Sequence, residues 1–165
     1  MRILGIDPGS RITGLGVVVA SGDQLSALHY ESLRLGGGPL PGRLGAIHTR
    51  VSELISEFGL EQVAVEEVFM SNNARSALTL GQARGSAISA AVNGGCQVHE
   101  YSAREIKLAV VGTGSAAKEQ VQHMIRILLG LRESPDSDSA DALACAICHI
   151  HGASAADRLA RAAIQ

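Results

Sequence analysis

Five acidic residues stand where an acid is awkward. Asp7 closes the apolar run "RILGID", with apolar residues on either side of it. Glu66 and Glu67 interrupt the apolar stretch "QVAVEEVF", and Asp138 and Asp141 open the apolar segment "DSADALACAICH". A carboxylate in an apolar segment is costly unless it is paired, hydrogen-bonded or bound to a metal. Asp138 and Asp141 are three apart and would share one face of a helix. If the strands carrying Asp7 and the glutamates are neighbours, three or four carboxylates can converge. Such a group repels itself unless it holds hard cations such as Mg2+. Each acid also has a plainer reading. Aspartates in a first helical turn complement the helix dipole and cap free amides. One of the two adjacent glutamates must point away because side chains alternate along a strand. Periodicity alone does not choose between Glu66 and Glu67.

The elements that must position these acids follow from hydrophobic pattern and turn signals. Residues 2–7, 13–20 and 25–35 read as an antiparallel meander with turns at "DPGS" and "SGD". The Gly36-Gly37-Gly38 run and Pro39 and Pro41 then break the pattern. Apolar positions from Leu44 to Phe58 recur at spacings of three and four, which predicts a helix closed by Gly59. A fourth strand is expected over 62–69, a helix over 74–92, a fifth strand at "CQVHEYS", and helices around 102–110, 116–129 and 138–151. The order describes an α/β fold with a mixed five-stranded sheet and helices on both faces, the order of ribonuclease H-like folds. The expected division is one domain over 1–153 and a C-terminal tail over 154–165.

Composition narrows the function. The chain has 165 residues, 46% hydrophobic and 18% charged, which suits one packed core. No stretch approaches membrane-spanning length and no apolar leader precedes Arg2, so the expectation is a cytoplasmic protein. The net charge is −2, but it is unevenly spread. Residues 71–132 hold 7 Lys/Arg against 3 Asp/Glu, while both flanks are acidic. The basic middle suits phosphates. Lys107 and Lys118 are the only lysines and both lie in it. Arg75, Arg84, Arg104 and Arg126 are further candidates for phosphate contact. "VGTGSAAK" places glycines and Ser115 before a helix N-terminus, a possible phosphate cradle. The three cysteines, Cys96, Cys145 and Cys148, are an odd number. "CAICH" has the spacing of a haem attachment motif, but it lies in an apolar helix where small cysteines pack well.

Four stretches taken in order, "ILGIDPGSRITGLGVV", "EEVFMSNNARSALTLGQARG", "VVGTGSAAKEQVQHM" and "DSADALACAICH", resemble the RuvC family of Holliday junction resolvases over nearly the whole chain. The resemblance implies that Asp7, Glu66, Asp138 and Asp141 are the metal-binding acids, which selects Glu66 over Glu67. It implies a Mg2+-dependent endonuclease that nicks four-way junctions symmetrically, through two metal ions, and leaves 5′-phosphate and 3′-hydroxyl ends. Lys107 and Lys118 match basic positions implicated in the family's activity. Phe69 matches an aromatic that stacks at the strand-exchange point. Ala77, Gly81, Gly85 and Ser89 make a stripe of small side chains, for which the resemblance implies a homodimer interface. A branch-migration motor, RuvAB, is the implied protein partner. Two other readings are a catalytically silent DNA-binding or dimerisation module of this fold, and a nucleotide-binding domain of the actin and sugar-kinase type.

Overall fold

The structure is a computed structural model; it describes residues 1–67 and 73–162, with side chains through 153. The chain runs β1 (Arg2–Asp7), β2 (Ile12–Ser21), β3 (Gln24–Arg34), α1 (Leu40–Phe58), β4 (Gln62–Glu66), α2 (Ala74–Asn93), β5 (Gln97–Tyr101), α3 (Ala103–Val111), α4 (Lys118–Leu128) and α5 (Ser137–Ala162). The five strands form one sheet in the order β3-β2-β1-β4-β5. The β1–β2 and β2–β3 pairs are antiparallel, and β1–β4 and β4–β5 are parallel. This is the mixed, ribonuclease H-like sheet that the element order implies.

Alternation along the strands divides the core into two layers. Leu4, Ile6, Leu15, Val17, Val63 and Val65 face α1 and α2, where they pack on Ile47, Val51, Leu54, Ala83 and Ala87. Ile3, Val18 and Ala64 face the opposite layer of α3, α4 and α5, and meet Ile106, Val121, Ile125, Leu143 and Ile147. Each fully buried Leu, Ile or Val contributes about 1.5–3 kcal/mol. The same period of two carries Asp7 and Glu66 to the α5 face, because Asp7 follows Ile3 by four residues and Glu66 follows Ala64 by two.

Several boundaries differ from the sequence expectation. α1 begins at Leu40, four residues early, with Pro41 in its first turn, where a missing N–H costs nothing. β4 ends at Glu66 and Glu67 lies beyond it, so the strand expected over 62–69 is shorter through Glu67; Phe69 lies outside the described residues. α5 runs to Ala162, well past the expected end at 151. α3 opens with a full capping box, Ser102 with Glu105, and closes on Gly112 at a left-handed φ of 83°.

Candidate active site at the carboxyl ends of the strands

Asp7, Glu66 and Tyr101 are the last residues of β1, β4 and β5. The parallel strands therefore deliver two carboxylates to one edge, where open α/β sheets bind ligands. β1 and β4 are in register through Ile6 and Val65, so Asp7 and Glu66 come next on adjacent strands. Asp138 and Asp141 open α5 above them. Gly14, paired with Asp7 across β1–β2, lets the backbone of Asp138 approach the sheet directly. Of the two adjacent glutamates, Glu66 is half-buried on this face and Glu67 is exposed.

The electrostatics show how closely the acids gather. The Asp7 carboxyl is pushed from 3.8 up to about 8, first by burial and then by the charges of Glu66, Asp141 and Asp138. Glu66 is raised by burial and by Asp141, and Lys107 and Lys118 pull it back. Asp141 is raised by burial while the Lys118 ammonium, 3.0 Å away, opposes the shift. A cavity of about 220 Å3 opens at this point, lined by Glu66, Asp141, Lys107, Lys118, Ala103, Ile106 and Val121. Both of the chain's lysines thus face the acids.

The donor set fits a hard divalent cation, since every candidate ligand atom is a carboxylate oxygen. Among the described residues no three or more acids, histidines or cysteines stand close enough together to hold a metal ion as they are placed. A Mg2+ ion keeps several of its waters and takes one or two carboxylates at a time, so it needs no preformed set of three ligands. Asp141 is paired with Lys118 at 3.0 Å.

The remaining candidates fall into three groups. Lys107 and Lys118 belong to the cavity. Arg104 lies against the Gly114 loop, with its Cγ where a Gly114 side chain would stand, so it borders "VGTGSAAK". Ser115 in that loop pairs its hydroxyl with Thr113 at 3.1 Å and is exposed. Arg75 is exposed in the first turn of α2. Arg84 is paired with Glu100, and Arg126 lies in the last turn of α4. Ala77, Gly81 and Gly85 do not face the core, which α2 meets through Ala83, Ala87, Ala90 and Ala91. Gly81 and Gly85 have open space where a Cβ would be. Cys96, Cys145 and Cys148 are buried free thiols, as expected of packing residues. Sequence reasoning missed Asp136, which caps α5, and the glycines beneath that helix; the Ser32 contact of Asp136 and the helix contacts of the glycines are non-local.

Comparison with known proteins gives the same answer as the geometry. The profile of crossover junction endodeoxyribonuclease RuvC matches residues 3–149. A crossover junction endodeoxyribonuclease RuvC of Marinobacter nauticus is 53% identical, over 96% of this chain and 91% of its own. Thermus thermophilus RuvC has a TM-score of 0.87 at 40% identity, covering 94% of this chain and 97% of that one. The same protein in complex with a Holliday junction substrate also gives 0.87, at 41% identity over 93% and 94%. An acid-lined strand edge within this sheet order, matched along nearly its full length, makes the chain a member of the RuvC family of crossover junction endodeoxyribonucleases, which are metal-dependent nucleases.

Proposed function

We propose that this protein resolves four-way DNA junctions by paired, symmetric nicks, hydrolysing phosphodiesters to 5′-phosphate and 3′-hydroxyl ends. Asp7, Glu66, Asp138 and Asp141 would hold two Mg2+ ions, for which Mn2+ can substitute. The observation that carries the reading is the Asp7 carboxyl raised to about 8 by burial and three other acids. A fold keeps such repulsion where a cation offsets it. The bound cations would supply an activated water and neutralise charge on the attacked phosphate.

The chain's own residues do the rest. Asp7, whose carboxyl is raised to about 8, would give up its proton to serve as a ligand. Lys118, held on Asp141 at 3.0 Å, and Lys107 across the cavity present ammonium groups to the scissile phosphate. Arg75, Arg104 and Ser115 hold flanking phosphates, Arg84 joins them only by leaving Glu100, and Phe69 stacks on an unpaired base. The nuclease unit is residues 1–153 and the tail 154–165. A four-way junction offers two equivalent strands, which suits a two-fold homodimer. The stripe Ala77, Gly81 and Gly85 supports an interface there, since among the described residues nothing stands within 4 Å of where a Gly81 or Gly85 Cβ would be. We further assign the RuvAB branch-migration motor as a partner and the cytoplasm as the compartment. Among the described residues no helix is long and apolar enough to cross a membrane.

The test is to incubate the protein with a labelled synthetic four-way junction and with a linear duplex of the same sequence, in Mg2+ and in EDTA. Nicks in opposed strands of the junction, only with Mg2+, are expected. Junction binding without cleavage in Mg2+ would make the chain a silent binding module instead.

A further inference from the structure

One row of residues crosses the sheet at the level of the site. Ser32 of β3 pairs with Gly14 of β2, Gly14 pairs with Asp7 of β1, Glu66 of β4 comes next, and Tyr101 of β5 pairs with Glu66. The N-terminal end of α5 is fixed to this row at two points, neither of them a carboxylate of the quartet.

The first point is Gly14. A Cβ there would overlap the carbonyl oxygen of Asp138 and stand 2.6 Å from its carbonyl carbon. Both atoms are backbone, so no side chain can turn aside to make room. Gly5 makes a similar approach further along the helix, where a Cβ would overlap the Ala142 carbonyl oxygen and lie 2.8 Å from the Ala146 nitrogen. Gly16 is milder, because a Cβ would meet first the Leu143 Cδ2, at 2.9 Å, which can move. Three glycines on the α5 face of two adjacent strands let the helix lie directly on the sheet backbone.

The second point is Asp136, the residue before α5. Its Oδ1 accepts from the Ser139 N–H at 3.2 Å, which caps the helix, and also from the Ser32 hydroxyl on β3. Its carbonyl oxygen accepts from the Ala140 N–H at 2.9 Å and the Ser139 hydroxyl at 3.1 Å. The cap thereby ties the start of the helix to the same row that carries Asp7.

We infer that Gly14 and the Ser32–Asp136 pair are positioning residues: they set the depth and register of α5 so that Asp138 and Asp141 reach the space faced by Asp7 and Glu66. The inference rests on the metal-site reading above. Gly14 sets the height of the helix over the sheet, and Asp136 sets which turn of the helix stands over Asp7. Adding one methyl at Gly14 must lift the Asp138 backbone by about 1 Å, since the interior has no free volume to absorb it. A displacement of that size costs about 100-fold in a well-placed site, and loss of a supporting residue typically costs about 10–100-fold in metal affinity.

The experiment measures Mn2+ binding to metal-free full-length protein by electron paramagnetic resonance, beside junction binding in EDTA and melting temperature. Gly14→Ala and Asp136→Ala are expected to weaken Mn2+ binding by about 10-fold or more while the junction is still bound. Asp136→Asn, which keeps the acceptor oxygen, should recover most of the loss. Ile147→Ala, a fully buried residue further along α5, should lower the melting temperature and leave Mn2+ affinity unchanged; this separates positioning from loss of stability. If Gly14→Ala does not fold, Asp136→Ala and Ser32→Ala carry the same test. Folded Gly14→Ala or Asp136→Ala protein with wild-type Mn2+ affinity would overturn the inference. Mn2+ binding that survives Asp7→Asn would instead overturn the metal-site reading beneath it.

Discussion

Asp7→Asn should make the bare protein more stable while removing its activity. The Asp7 pKa lies near 8 in the fold against 3.8 for an ordinary aspartate. The folded state therefore holds this proton more tightly than the unfolded chain does. The associated cost is absent below pH 3.8 and grows as pH rises to about 8. At about 1.4 kcal/mol for each pH unit, the displacement of roughly four units sets a ceiling of about 6 kcal/mol. Asp7 is only half-buried, so solvent screens part of this and about 2–3 kcal/mol should be recovered by the neutral amide. For a chain of this size that is a rise of about 5–10 °C in melting temperature. The assay is thermal melting of both proteins in EDTA across pH 4 to 8.5. The gain should be largest at the alkaline end and fade toward pH 4. Saturating Mg2+ should raise the wild-type melting temperature more than that of the variant. A variant less stable than wild type at pH 8 in EDTA, or a difference that ignores pH, would refute the reasoning and make Asp7 a structural, hydrogen-bonded acid.

Other outcomes follow from the same geometry. Lys118→Met removes the ammonium 3.0 Å from Asp141 and should cut the cleavage rate at saturating junction; it should also lower the slope of log affinity against log salt by about one, as gel-shift titrations would read. Gly81→Leu enters open space within the chain and replaces a mid-helix glycine, so monomer stability should hold or rise by up to about 1 kcal/mol; light scattering should show loss of the dimer, and paired nicking should fail with it. Phe69→Ala should slow junction cutting with little change in melting temperature. Ser102→Ala breaks the α3 capping box at a cost of about 1 kcal/mol, readable by denaturant titration, while leaving the acids in place.

What the sequence revealed was mostly local. Alternation in "RILGID" and "QVAVE" fixes which face each residue takes, and once β1 and β4 are neighbours it brings Asp7 and Glu66 together. Without a resemblance, parity cannot choose Glu66 over Glu67, because that choice depends on which face of β4 carries α5. The structure supplies it through Ala64, which packs on the α5 layer and shares parity with Glu66. The glycines of "GIDPG" and "TGLG" read as turn or strand-weakening residues, yet Gly5 and Gly14 are there because a helix some 130 residues later rests on them. Asp136 looks like one more acid of the loop "RESPDSD", and only its Ser32 partner on β3 separates it from Asp138. Arg84 looks free in a basic segment until β5 brings Glu100 alongside.

The most direct test of the central claim uses a supercoiled plasmid with an extruded cruciform, which presents one four-way junction. Two coordinated nicks in opposed strands turn it into a linear product, whereas one nick releases the supercoiling, reabsorbs the junction and leaves a nicked circle. With Mg2+ the wild-type protein should yield linear plasmid with ligatable ends, and Asp7→Asn protein should bind the cruciform and cut neither strand. Nicked circles as the only product, or cutting that persists in Asp7→Asn, would contradict paired resolution by the carboxylate site.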